Sequence, residues 1–114
     1  MRRVLQVACM LVAASCGAAA AGERFFVYNL TTSTEFTGVF LAPAGTQSWG
    51  SNQALNDKDH SLDVTERLSI TGIEHGQFDV KLQTEKGRTC VKSNVDLTKE
   101  TSFDIRDTDI AGCL

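Results

Sequence analysis

The sequence predicts an all-β fold: a small antiparallel β-sandwich of six to seven short strands, stapled by one disulfide. Three observations carry that expectation. Short runs of alternating apolar and polar residues recur along the chain, separated by turn-forming residues about every 8–12 positions. No window sustains a 3.6-residue apolar period with capping residues, so no long helix competes. Two cysteines, Cys90 and Cys113, lie far apart in the part of the chain expected to fold, where an even pair in a small exported domain forms a structural cross-link.

The elements follow in order. Arg24–Leu30 (RFFVYNL) is aromatic and β-branched and predicts a strand covered on both faces. Thr31–Thr34 has hairpin length. Glu35–Ala42 (EFTGVFLA) is a second strand, with Phe36, Gly38 and Phe40 on one face and Thr37, Val39 and Leu41 on the other. Pro43–Asn52 is a loop by composition, holding the single proline. Ala54–His60 fits either a turn of helix or a strand end. Ser61–Ile70 alternates twice, with a bulge or turn expected at Thr65–Arg67. Gln77–Thr84 is the cleanest strand, with Phe78, Val80 and Leu82 inward. Glu85-Lys86-Gly87 is a hairpin turn, Arg88–Leu97 the return strand, and Thr101–Asp107 the last.

The first residues belong to a different programme. A basic start at Arg2-Arg3, an apolar run over Val4–Ala14 and small residues up to Ala21 predict a signal peptide over residues 1–21, removed on export to periplasm or medium. A lipid anchor at Cys16 is the weaker alternative, because Ala13 stands where a lipoprotein box carries leucine. The run is too short and alanine-rich for a membrane span. The domain is then 22–114. Loss of Arg2 and Arg3 leaves 9 basic residues against 14 acidic ones, a net charge near −5. With no basic cluster of size, nucleic acid and anionic membranes are not expected partners. A Cys90–Cys113 bond would stabilise the domain by about 3.5 kcal/mol in the chain-entropy account.

The order "V-Y-N-L-T", "L-A-P-A-G", "W-G-S-N-Q-A-L" and "F-D-V-K-L" is similar to a group of small exported proteobacterial domains of uncharacterised function. These carry a W-G-x-N/D-x-L loop and a Y/F-D-V/I-R/K hairpin. The resemblance covers most of residues 22–114 and implies a secreted β-sandwich, with no activity attached. Where the group often has a cysteine before the Y/F-D pair, this chain has Gly76-Gln77, which leaves the group's disulfide pattern open here.

Candidate sites are few. Trp49 is the only tryptophan and stands among small polar residues. It fits a plug folded over the open end of the sandwich, or a ring exposed for stacking on a sugar or a partner's apolar side chain. If the domain has a binding surface, the Gly45–Gln53 loop supplies it, through Gln47, Trp49, Asn52 and Gln53. Asp57, Asp59 and Asp63 suggest a calcium-stabilised loop as the alternative, although an EF-hand starting at Asp57 fails at Leu62 and Leu68. His60 and His75 form no zinc pattern, no G-x-S-x-G elbow exists, and a domain of this size leaves little room for a deep pocket. The expectation is a non-catalytic, cofactor-free binding domain for a protein or glycan partner, with a small envelope enzyme as the remaining alternative after the calcium-stabilised module. Asn29-Leu30-Thr31 matches a glycosylation pattern, but Asn29 is expected to end its strand by bonding to nearby backbone. Lys81, Lys86, Arg88 and Lys92 make one mildly basic hairpin edge that would discourage stray strand pairing.

Overall fold

The computed structural model describes residues 23–113. The expected leader and Cys16 lie outside the described residues. Six strands form: β1 (Phe25–Asn29), β2 (Phe36–Pro43), β3 (Arg67–Ile70), β4 (Gln77–Thr84), β5 (Thr89–Asp96) and β6 (Ser102–Ile105). A 3-10 turn, Gln53–Asn56, follows β2, and one short helix, α1 (Asp107–Ile110), leads to a final 3-10 turn at Ala111–Cys113. The strands make two three-stranded sheets, ordered β3-β1-β6 and β2-β4-β5.

The all-β, two-sheet, disulfide-linked architecture holds, with six strands as its count. Three of the four ladders are antiparallel, but β1 and β6 pair in parallel, from Phe26 opposite Ser102 to Asn29 opposite Ile105. A parallel neighbour requires a long connection, and here that connection carries β3 and the whole of the second sheet.

Between the sheets lies one core. Phe25, Val27, Leu68, Ile70 and Ile105 of the first sheet face Phe36, Val39, Leu41, Phe78, Val80, Leu82 and Val95 of the second, with Leu62, Leu97 and Ile110 filling the ends. Each such side chain contributes roughly 1.5–3 kcal/mol on burial. Strand alternation produces this directly in β4, whose odd-numbered positions face out. In β2 the single alternation expected from the sequence is broken. A register shift between Phe36 and Gly38 switches the phase, so Phe36, Val39 and Leu41 are all buried while Phe40 lies half-buried on the outer face. Likewise β1 is covered on one face only; Tyr28 is exposed and Phe26 carries the Arg67 guanidinium 4.3 Å from its ring centroid. The Thr65 interruption is real: Thr65 has φ 71, and Leu62 makes only an isolated bridge to Phe36 before β3 begins. Helix α1 is a single turn, too short to show a period in sequence.

A buried polar hub fixes one end of the sandwich. Asn29 is fully buried. Its Nδ2 donates to the carbonyls of Thr34 (2.8 Å) and Leu62 (3.1 Å), and its Oδ1 accepts from Thr31 N and Thr31 Oγ1. At the opposite end, His75 Nδ1 meets the Leu97 carbonyl at 2.8 Å and Nε2 meets Glu23 Oε1 at 2.9 Å. On the far side, the Cys90–Cys113 disulfide spans a Cα–Cα distance of 4.9 Å, and Lys92 Nζ pairs with Asp109 at 2.8 Å, so the C-terminal turns are tied to β5 twice.

Two outcomes follow. Asn29→Ala leaves the buried Leu62 carbonyl and the half-buried Thr34 carbonyl without the Asn29 donor and should lower unfolding free energy by about 2–4 kcal/mol in urea titration; an unchanged midpoint would show that the hub is dispensable. His75 has two acceptors and fits them only as imidazolium, and the Leu97 carbonyl, then Glu23, raise its pKa above 6.5. The stability it adds is therefore complete below pH 6.5 and lost as pH rises through the higher folded value. Thermal unfolding across pH 5–9 should show that loss, and His75→Gln should flatten it.

Candidate functional site

The loop between β2 and the 3-10 turn is built by a few short bonds. Gly45, at φ 81, takes the left-handed corner of a Pro43–Thr46 turn, with Thr46 N donating to the Pro43 carbonyl at 3.1 Å. Gly45 N donates to Asp79 Oδ2 at 2.9 Å, and Asn94 N donates to Asp79 Oδ1 at 3.0 Å. One carboxylate on β4 thus holds the β2 turn and the bulged stretch of β5. These two donors lower its pKa, Gly45 first, so the clamp stays ionised well into acid. Further on, Ser48 N donates to Thr46 Oγ1 and Gly50 N to the Leu41 carbonyl.

Trp49 lies between those two anchors, and it is half-buried rather than inserted in the core. It does not plug the sandwich. Its ring centroid is 5.2 Å from Lys81 Nζ, on the outer face of the β2-β4-β5 sheet, and the same ammonium is 4.8 Å from the Phe40 centroid. Phe40, Lys81 and Val91 are register partners, so they form one row across three strands. Val91 is exposed. Gly38 makes room for the aromatic: a Cβ there would stand 2.9 Å from Phe40 Cε1 and 2.6 Å from Gln83 Oε1. An outer sheet face is ordinarily polar; this one carries two rings around a cation.

The other candidates divide. Gln47 is exposed, with φ 57. Asn52 is structural: its Oδ1 accepts from Val39 N and Ala54 N, and its Nδ2 donates to the Thr37 carbonyl. Gln53 is buried, donating to the Thr71 carbonyl at 2.9 Å and accepting from Thr71 N and Asn56 Nδ2. The polar residues nearest Trp49 in sequence therefore split between solvent and scaffold. Beside the loop, a hollow of about 420 Å³ has Leu41, Pro43, Ile73 and Phe78 on its apolar side and Ser48 and Ser51 among its polar lining, and Trp49 does not line it.

The acidic loop does not assemble as a metal site. Asp57 Oδ2 accepts from Asp59 N at 2.8 Å, a local turn, while Asp63 accepts from Ser61. Among the described residues no group of three His, Cys, Asp or Glu side chains is placed to share a metal ion. Asp63 is instead next to Glu35; desolvation and then that neighbour raise its pKa. His75 is committed to Leu97 and Glu23.

Phe40 and Lys81 are the site residues that sequence reasoning missed. Their juxtaposition depends on the β2–β4 register, which the β2 bulge sets and no local pattern announces. No family model matches the chain, and neither a curated protein nor a solved structure matches it.

Because Trp49 is the single indole, its emission reports this place alone. Iodide, drawn to the Lys81 ammonium, should quench it more strongly than caesium, and Lys81→Gln should narrow the difference. Equal quenching by both ions would place the ammonium elsewhere.

Proposed function

We propose that this is an exported, non-catalytic binding domain whose contact surface is the outer face around Trp49. The supporting observation is that the core is complete without the indole, which is held half-exposed over Lys81 beside Phe40. Large aromatics flanked by adaptable polar residues anchor recognition surfaces, because they bring contact area at small conformational cost. Trp49, Phe40 and Val91 supply area, Lys81 supplies a charge, and Gln47 supplies an exposed amide. The basic start, apolar run and small-residue tract ahead of residue 22 support export, and a partner is then met in the periplasm or outside the cell.

The deciding experiment compares the folded wild-type domain with Trp49→Ala on arrays of glycans and envelope proteins. Partners of the wild type should be lost or weakened at least about tenfold, near 1.4 kcal/mol, in the variant. Retention of every partner by a variant with unchanged circular dichroism would remove Trp49 from the contact surface.

A further inference from the structure

Resting on that surface, we infer that its ligand is a carboxylate-bearing glycan, a uronic-acid type of saccharide, with the acid on Lys81 and sugar rings over Trp49 and Phe40. The inference begins with charge. The chain is acidic overall, yet among the described residues Lys81 has no carboxylate partner in an ion pair. Lys92, on the neighbouring strand, is paired with Asp109 instead. Asp79, the carboxylate nearest in sequence on the same outward face of β4, has its two oxygens on Gly45 N and Asn94 N. Beside Asp79, which stays ionised on its two backbone donors, this face offers a ligand an ammonium without a carboxylate partner between two ring faces, a place for one negative charge with apolar surface around it. A second copy of this chain stacked with its two-fold axis on Lys81 would set two ammonium groups against each other, which like charges oppose.

An extended peptide is the natural competitor, and the sheet edge beside Trp49 is closed to it. Strand addition needs unpaired backbone groups. On the outer edge of β2, Phe36 exchanges bonds with Leu62, Thr37 O and Val39 N bond to the Asn52 side chain, and Leu41 O takes Gly50 N. The remaining way to bind is across the face, by stacking and by the ion pair. A pyranose ring provides a flat C–H surface for an aromatic ring, and its hydroxyls suit Gln47 and the backbone of an exposed loop.

Titration of the folded domain with oligogalacturonate, followed through Trp49 emission and calorimetry, tests this. The matched probe is the methyl-esterified oligomer, which keeps the shape and removes the charge. Oligogalacturonate should shift the emission and bind at least about tenfold more tightly than its ester. Its affinity should weaken with salt, fall to the level of the ester in Lys81→Gln, and recover in Lys81→Arg. Equal binding of acid and ester would overturn the carboxylate while leaving Trp49 a contact residue. Silence of Trp49 toward acidic and neutral oligosaccharides alike, with a response to an acidic peptide, would overturn the glycan and keep the surface. Binding that is unchanged in Trp49→Ala would overturn both.

Discussion

The fold depends first on the side chain of Asn29. A fully buried amide in low dielectric must find partners for all its polar atoms or be a net cost of several kcal/mol, and here its two donors and its acceptor are all engaged. Its main chain extends the β1–β3 ladder, with Asn29 N on the Glu66 carbonyl and Thr65 N on its own carbonyl. Its side chain reaches the β1–β2 connection and Leu62, and Leu62 in turn bridges to Phe36, the first residue of the opposite sheet. One residue therefore fixes where β1 stops, how the chain turns and where the second sheet begins. It also explains the unusual Thr65 backbone: the bond from Thr65 N to Asn29 holds a β-branched residue at positive φ, where its side chain alone would not go. The same burial removes Asn29 as a glycosylation acceptor, since Nδ2 has no access to solvent.

The edges of both sheets are guarded, each by a different device. The β2 edge is covered by Gly50, Asn52 and Leu62, and the β3 side by Gln53 on Thr71 and Asn56 Nδ2 on the Ser69 carbonyl. So the 3-10 turn closes one flank of the sandwich with side-chain amides in place of a strand. On the other flank, β5 carries the inward Lys92, a bulged stretch with Asn94 at φ 58, and the disulfide to the C-terminal turn. Inward charges and bulges are the usual means of discouraging edge pairing. The four-residue β6 carries the Asp104–Arg106 pair at its end. Strand addition is obstructed on these sides, which on the proposed reading leaves the faces and loops for contact.

Elements whose information is local were legible in the sequence. The β4 strand and the Gly87 turn follow from alternation and from a glycine at φ 82, and Cys90 and Cys113 are the two cysteines of the described residues and pair with each other. What escaped was set by contacts distant in sequence. The β2 bulge puts Phe36 and Phe40 on opposite faces, the parallel β1–β6 pairing depends on where the second sheet returns the chain, and helix α1 is tied by Asp107 to Thr32, its neighbour in space but far away in sequence. Asn52 and Gln53 looked like recognition residues because amides serve recognition and scaffolding equally well. Only the partners, Val39, Thr37 and Thr71, separate the two roles. Trp49 was singled out by composition, while its neighbours Phe40 and Lys81 needed the register.

Energetics bear on why Trp49 stands where it does. Full burial of a large apolar side chain contributes roughly 1.5–3 kcal/mol, whereas a cation over an exposed ring contributes about 0.5–1 kcal/mol. Placing the indole over Lys81 forgoes the larger stabilisation for the smaller. A hollow with an apolar side, lined in part by Leu41 and Phe78, lies beside the same loop, yet the indole packs by Lys81 and does not line it. The loop that aims it is itself well anchored, by Gly45 on Asp79, Gly50 on Leu41 and Asn52 on β2. The bonds of Gly50 and Asn52 that close the β2 edge therefore also hold the indole in place, and on the proposed reading a side chain held this way has less ordering cost left for binding.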